Sequence, residues 1–248
     1  MSRFTPSRVA LVTGAASGIG LAITERLRSD GVRVLAVDCS FDEPSADELA
    51  VDLSDPGAND VAVEQAVERF GRLDCLVPCA GLQRVHPIAD FPDEDFEQLH
   101  DVLLKSPFRL ARAAWPHLTE ASGAIVVVAS AHGLVASPFK SGYNSAKHGV
   151  VGLVKTLALE GADDGVRVNA VCPGVVRTPL VTGQIEGQAE AYGMPAVDVL
   201  EKVMLAPHAT RRLIETHEVA AVVAFLLSDE ASAITGVPLP VDLGWTAR

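Results

Sequence analysis

Residues 8–20 read RVALVTGAASGIG, an apolar β-branched run that ends on a threonine and gives way to glycines at 14, 18 and 20. A run with no polar residue alternating through it fits a strand buried on both faces. The glycines permit a tight turn, let backbone approach a pyrophosphate, and expose the first amides of a following helix to negative charge. Strand, glycine turn and helix in that order predict the first unit of a nucleotide-binding α/β sheet. On the glycine spacing alone, a turn that is merely tight remains the alternative.

The same alternation continues outward from this stretch. RVLAVD (33–38), LDCLVP (73–78), AIVVVAS (124–130) and RVNAVCP (167–173) read as further buried strands. Helical spacing runs through residues 20–31, 59–71, 94–118 and 142–161, with a last helix at 217–227 and a short strand at PLPVD (238–242). This pattern predicts an α/β fold, a doubly wound parallel sheet with helices on both faces and right-handed crossovers. At 248 residues with 48% apolar and 21% charged residues, one domain over 1–248 is expected. The region 173–218 is far longer than an ordinary strand-to-helix connection and is expected to be a substrate-binding lid with two short helices, near 181–192 and 196–205.

A formal charge of −12 and the lack of a Lys/Arg stripe argue against a nucleic-acid partner. No apolar run reaches the ~20 residues of a membrane helix, and MSRFTPSR has no core of signal-peptide length, so the expectation is a cytoplasmic protein without a membrane partner. Cys39, Cys75, Cys79 and Cys172 sit in or beside apolar runs and read as buried reduced thiols; none has zinc-site spacing, and no metal is expected.

In an open α/β sheet, ligands bind beyond the carboxyl ends of the strands. Asp38 ends the second strand, where a carboxylate can accept hydrogen bonds from ribose hydroxyls and would repel a 2′-phosphate, which favours NAD over NADP. Asp52 and Leu53 follow the short third strand and can flank the adenine; an N-cap role for Asp52 is the alternative. Tyr143 and Lys147, four apart in a helical run, share a face, and an ammonium beside a phenol favours the phenolate. Ser130, at the end of the fifth strand, can hold a substrate oxygen beside that phenol. Together they supply a proton donor and acceptor for interconverting a carbonyl and an alcohol.

TGxxxGIG, Ser130 and YxxxK, in this order and spacing over nearly the whole chain, resemble the short-chain dehydrogenase/reductase family. The resemblance implies a Rossmann-type NAD-dependent oxidoreductase in which Tyr143 is the general acid/base, Lys147 supports it and holds the nicotinamide ribose, and Ser130 positions substrate. It implies cofactor contacts from Gly14, Ser17, Gly18, Ile19, Gly20, Asp38, Asp52, Leu53, Ala80, Gly81, Tyr143, Lys147, Pro173, Gly174, Val176 and Thr178, and it implies a homotetramer. Two departures stand out: PCAG (78–81) replaces the usual NNAG, and Leu103 replaces an Asn that in the family supports a helix kink and a proton path to the lysine.

GLQRVHPI, SAHGLV, the lysine before Tyr143, TPLVTGQI and VDLGW are similar to the bacterial D-3-hydroxybutyrate dehydrogenase branch. Substrate contacts are thereby implied for Gln83, His132, Lys140, Gln184 and Trp245, with Lys140, His132 and two amides giving a carboxylate charge-assisted hydrogen bonds. Each of these residues alone also reads as a solvated or structural side chain. The expected activity is interconversion of (R)-3-hydroxybutyrate, or a similar hydroxy acid, with its ketone. The alternatives are another alcohol (a cyclic hydroxy acid, a dihydrodiol or a hydroxysteroid) and a catalytically weak NAD-binding scaffold.

Overall fold

In the computed structural model Phe4 and residues 8–247 are described; most of the polar lead MSRFTPSR, on which the cytoplasmic expectation leans, lies outside them, as does Arg248. The opening strand β1 (Val9–Thr13) is buried along its whole length. Val9 and Leu11 join one core cluster while Ala10 and Val12 join another, so the period-two alternation of a strand feeds apolar side chains to both faces of the sheet. Full burial of a leucine such as Leu11 stabilises by about 1.5–3 kcal/mol, which is why this run contains no charged residue.

The chain then follows α1 (Gly18–Ser29), β2 (Arg33–Val37), β3 (Glu48–Leu49), α2 (Pro56–Phe70), β4 (Cys75–Val77), α3 (Asp93–His100), α4 (Ser106–Ala121), β5 (Ala124–Val128) and α5 (Ser141–Glu160). It continues through β6 (Arg167–Pro173), α6 (Pro179–Thr182), α7 (Ile185–Tyr192), α8 (Ala196–Val199), α9 (Thr216–Leu227) and β7 (Pro238–Val241). The strands form one seven-stranded sheet in the order β3-β2-β1-β4-β5-β6-β7, and every pairing is parallel. Strand order reverses between β1 and β4, where crossovers depart to opposite faces and open a crevice at the carboxyl ends. Leu110 of α4 and Val150 of α5 pack in the first core cluster; Ile23 of α1 and Val223 of α9 pack in the second.

Three expectations are corrected. Residues 94–118 are not one regular helix: a π-helical turn, Asp101–Lys105, separates α3 from α4, and the Ser106 amide donates to the Asp101 carbonyl five residues back. Pro107 has no N–H to give the Leu103 carbonyl and its ring crowds that carbonyl, so the chain widens by one residue there. The N-cap of α2 is Asp55, which accepts from the Gly57 amide, while Asp52 accepts from Ser54. Cys39 is exposed, because it follows Asp38 past the end of β2; Cys75 and Cys172 are buried.

The region after β6 folds as α6 and α7, then α8 running into a second π-helical turn (Leu200–Met204). Val175, Val199, Met204 and Leu205 form its own small core, against which Val181, Ile185 and Trp245 pack. Among the described residues, no helix is long and apolar enough to cross a membrane.

Candidate active site

The turn after β1 is held by contact rather than by its own hydrogen bonds. Gly14 has φ +66°, and a Cβ there would lie 2.8 Å from the Ala80 Cα; a Cβ on Gly20 would lie 2.0 Å from the Gly14 carbonyl oxygen. The Thr13 hydroxyl ties this turn to the loop after β4 by accepting from the amides of Cys79 and Ala80, at 2.9 and 3.0 Å. The PCAG loop is thus fixed without the two lost amide side chains. At the start of α1, Ser17 makes no side-chain cap bond and the first turn carries no acidic residue, so the N-terminal amides face the crevice without a competing anion from their own turn.

Asp38 stands at the end of β2, its Oδ2 accepting from the Ala16 amide at 3.1 Å and its Oδ1 from the Ser40 amide and hydroxyl. Arg33, the nearest basic residue on that strand, lies over the Phe70 ring at 4.5 Å. Ser130 follows β5 at 7% exposure, and its Oγ accepts from the His132 amide. Tyr143 and Lys147 project from the first turns of α5, with the Lys147 Nζ 5.7 Å from the Tyr143 ring centroid and donating to the Val128 carbonyl at 2.8 Å.

The electrostatics differ from the sequence expectation. Burial pushes the Tyr143 hydroxyl up to about 12, and the Ser130 hydroxyl pulls the other way. Burial pushes the Lys147 ammonium down to about 8. At Tyr143 desolvation therefore outweighs the lowering by the Ser130 hydrogen bond.

The second group of side chains lies farther along the same crevice. Lys140 is 7% exposed, burial pushes it down to about 8, and its Nζ reaches the Gln184 Oε1 only at 3.4 Å. His132 is driven to about 3 by burial and then by Lys140, so it is a neutral ring at ordinary pH. It can offer a carboxylate a hydrogen bond but no charge of its own. His132 Nε2 meets the Ser137 Oγ at 2.9 Å, and its ring stands edge-on to Trp245 at 4.9 Å. The Gln83 Oε1 accepts from the Arg84 amide, and Gln184 donates to the Leu180 carbonyl.

One cavity of about 500 Å³ is lined by every candidate cofactor, catalytic and substrate residue from the sequence: the glycine turn, Asp38, Asp52, Leu53, Ala80, Gly81, Ser130, Tyr143, Lys147, Pro173, Gly174, Val176, Thr178, Gln83, His132, Lys140, Gln184 and Trp245. Sequence reasoning missed Arg84, in the cavity wall, and His208, which holds the lining residue Val175. Arg84 lines the cavity, held by Asp95 at 3.1 Å and by the Gln98 Oε1 at 3.0 Å. His208, 1% exposed, accepts from the Val175 amide at 3.2 Å, and a Cβ on Gly174 would lie 2.6 Å from its Nε2. An isolated histidine in an irregular segment carries no periodic signal. Arg84 had a weak one, an acidic run eleven residues downstream.

Leu103 is 1% exposed and packs with Leu99 and Ala146, with Tyr143 against the same cluster. The widened turn is therefore present without a side-chain amide at this position.

The geometry agrees with the comparisons to known proteins. The family model described as "Enoyl-(Acyl carrier protein) reductase" matches residues 14–246. The D-beta-hydroxybutyrate dehydrogenase of Rhizobium meliloti (strain 1021) is 40% identical over 98% of this chain and 100% of its own length. That of Cupriavidus necator is 36% identical over 97% of this chain and 98% of its own. The crystal structure of levodione reductase superposes with a TM-score of 0.89 at 32% identity, covering 98% of each chain. The chain belongs to the short-chain dehydrogenase/reductase family, oxidoreductases that act on secondary alcohols with a nicotinamide cofactor.

Proposed function

We propose that the protein is an NAD-dependent dehydrogenase that interconverts (R)-3-hydroxybutyrate, or a closely similar small hydroxy acid, with its keto acid. The observation that carries the reading is Lys140: an ammonium 7% exposed, lining the cavity shared with Ser130 and Tyr143, whose one hydrogen bond there is long. A buried cation is stable only with a good partner, and a substrate carboxylate supplies one. The two D-beta-hydroxybutyrate dehydrogenases among the relatives support the same substrate class.

The residues present fit a dinucleotide. The open α1 N-terminus suits a pyrophosphate, and the Asp38 carboxylate suits two ribose hydroxyls while disfavouring a 2′-phosphate, which is the ground for NAD over NADP. Gly14, Ser17, Gly18, Ile19, Gly20, Asp52, Leu53, Ala80, Gly81, Pro173, Gly174, Val176 and Thr178 line the remainder of that cleft. When bound, the nicotinamide accepts a hydride from the alcohol carbon or returns it to the ketone.

This chain's own residues handle the proton and the placement. Tyr143, held protonated by burial, donates to the ketone oxygen in reduction; in oxidation its phenolate takes the alcohol proton, and the Lys147 cation favours that anion. Ser130 holds the substrate oxygen beside the phenol. Lys140 binds the carboxylate, Gln83, Gln184 and neutral His132 add hydrogen bonds, and Trp245 closes the apolar side. The 173–218 region acts as a lid over this end. A homotetramer belongs to the same reading, supported by exposed Phe108 on α4 and Leu159 on α5, 46% and 80% accessible.

The test is NADH formation by purified protein with NAD and (R)-3-hydroxybutyrate, beside the (S) isomer, NADP, and neutral and cyclic alcohols. Turnover selective for the (R) acid with NAD is expected. Selective turnover of a neutral ring alcohol would overturn the carboxylate assignment, and NADH binding without any turnover would point to a scaffold.

A further inference from the structure

We infer that Phe139 and Tyr192 form a clamp that positions Lys140, so that the placement of α7 over the cavity sets the affinity for an anionic substrate. The inference rests on the reading of Lys140 as the carboxylate holder and adds two residues that the reading does not include.

Phe139 has φ +66°. L-residues with a Cβ visit the left-handed region uncommonly, and for a bulky aromatic the conformation persists only where the surroundings impose it. Those surroundings are visible. The Phe139 ring stands edge-on to the Tyr192 ring at the end of α7, with centroids 5.0 Å apart and planes at 89°. The Phe139 carbonyl accepts from the His86 amide at 3.0 Å. Before it, Asn144 Nδ2 donates to the Ser137 carbonyl at 2.9 Å. After it, the Lys140 carbonyl accepts from the Asn144 amide at 2.8 Å.

The left-handed residue lies immediately before Lys140, at the entrance to α5. Its direction decides whether that side chain runs inward or out to water. Within the cavity, Lys140 is tied among the described residues only by the 3.4 Å contact to Gln184, too weak to hold a desolvated ammonium against solvent. The ordering must come from the backbone, which is held by the His86 and Asn144 hydrogen bonds together with the ring contact to α7. If α7 withdraws, the ring's share of that hold is lost, and the strained Phe139 relaxes and Lys140 turns outward more readily.

Tyr192 also borders a second chamber of about 50 Å³ that shares Lys140, His132 and Trp245 with the main cavity. The clamp therefore sits beside the end of the site that, on this reading, takes the substrate's acid group.

The experiment is steady-state kinetics of Tyr192→Leu, Tyr192→Phe, Phe139→Gly and Lys140→Met with (R)-3-hydroxybutyrate and with a neutral secondary alcohol. Tyr192→Leu is expected to raise KM for the acid by about tenfold, with kcat within about twofold and KM for the neutral alcohol unchanged. Tyr192→Phe, which keeps the ring, should behave as wild type. Phe139→Gly, which accepts the left-handed backbone but removes the ring, should match Tyr192→Leu and serves if that variant folds poorly. In a Lys140→Met background the Tyr192→Leu effect on the acid should vanish. A wild-type KM for the acid in both clamp variants, while Lys140→Met raises it, overturns the clamp and leaves the carboxylate reading standing. Equal losses on acid and neutral alcohol overturn it as well, by making Tyr192 a general packing residue. An unchanged acid KM in Lys140→Met brings down the reading beneath it.

Discussion

Replacing Lys140 by Met should make the protein more stable and a worse enzyme. The side chains are similar in length, and the change removes an ammonium whose pKa burial lowers from 10.5 to about 8. That fall corresponds to roughly 3 kcal/mol of unfavourable charge burial. Below pH 8 folded and unfolded chains both carry the proton, and the whole penalty is present. Between about 8 and 10.5 the unfolded chain binds the proton more tightly, so wild-type stability rises with pH through that window. Met has no such term. The lost contact to Gln184 at 3.4 Å is worth less than about 1 kcal/mol. Gln184 Oε1 keeps the Gln188 amide. Lys147, lowered to about 8 as well, is common to both proteins and cancels in the difference. A gain of about 2 kcal/mol at pH 7 is therefore expected, shrinking toward pH 10, as measured by urea denaturation across that range. KM for the acid should rise by more than about tenfold, since one partner of a buried charge pair is missing. A Met variant less stable at pH 7, or a stability gap that does not narrow above pH 8, would refute the view of Lys140 as an uncompensated buried cation.

Tyr143→Phe should abolish turnover while leaving NADH binding, followed by fluorescence titration, within about twofold of wild type, because only the proton carrier is lost. Asp38→Ala should weaken NAD binding and narrow the preference over NADP by at least about tenfold, read from kcat/KM for the two cofactors, because the carboxylate that opposes a 2′-phosphate is gone. Leu103→Asn, which restores the amide usual in the family, should cost about 1–3 kcal/mol in thermal or urea unfolding, because the position is 1% exposed among Leu99, Ala146 and Leu82 and the amide would lack a partner there.

The architecture was legible because its strands are pure. VALVT and AIVVV have every residue buried, so both faces carry the same apolar message, and their shortness and β-branched residues favour a strand over a buried helix turn. The residues of the cleft were legible as a constellation for a related reason: most stand on a turn, loop or helix entered from a strand's carboxyl end, and the topology gathers those ends into one crevice. What escaped is local and three-dimensional. The heptad-like run Leu99, Leu103, Leu110, Leu118 continues through the widened turn, and only Pro107 marks the lost hydrogen bond. The neutrality of His132 depends on burial among groups far away in sequence, including Trp245. The left-handed backbone at Phe139 contradicts the residue type itself, and the contact that imposes it comes from Tyr192, fifty-three positions on.

These exceptions share a location, and that explains the charge layout of the cleft. Asp38 stands at the end of β2, where the proposed NAD reading uses its negative charge against a 2′-phosphate. Lys147 and Lys140 stand at the other end of the cleft, each forced below its ordinary pKa by burial alone. In a protein of charge −12, two desolvated ammoniums without an acidic partner among the described residues cannot be accounted for by stability, which they lower. Lys147 donates to the Val128 carbonyl, whereas on the proposed reading Lys140 answers to an anionic substrate that the surface repels at long range but that gains strong charge-assisted bonds once inside. The cleft is thus destabilised around Lys140, where the proposal seats the substrate, and tightly fixed at the glycine turn by the Thr13 hydroxyl and the Gly14 contact. The clamp on Lys140 follows from the same balance, since a cation that the fold would rather expel needs something outside its own loop to hold it in.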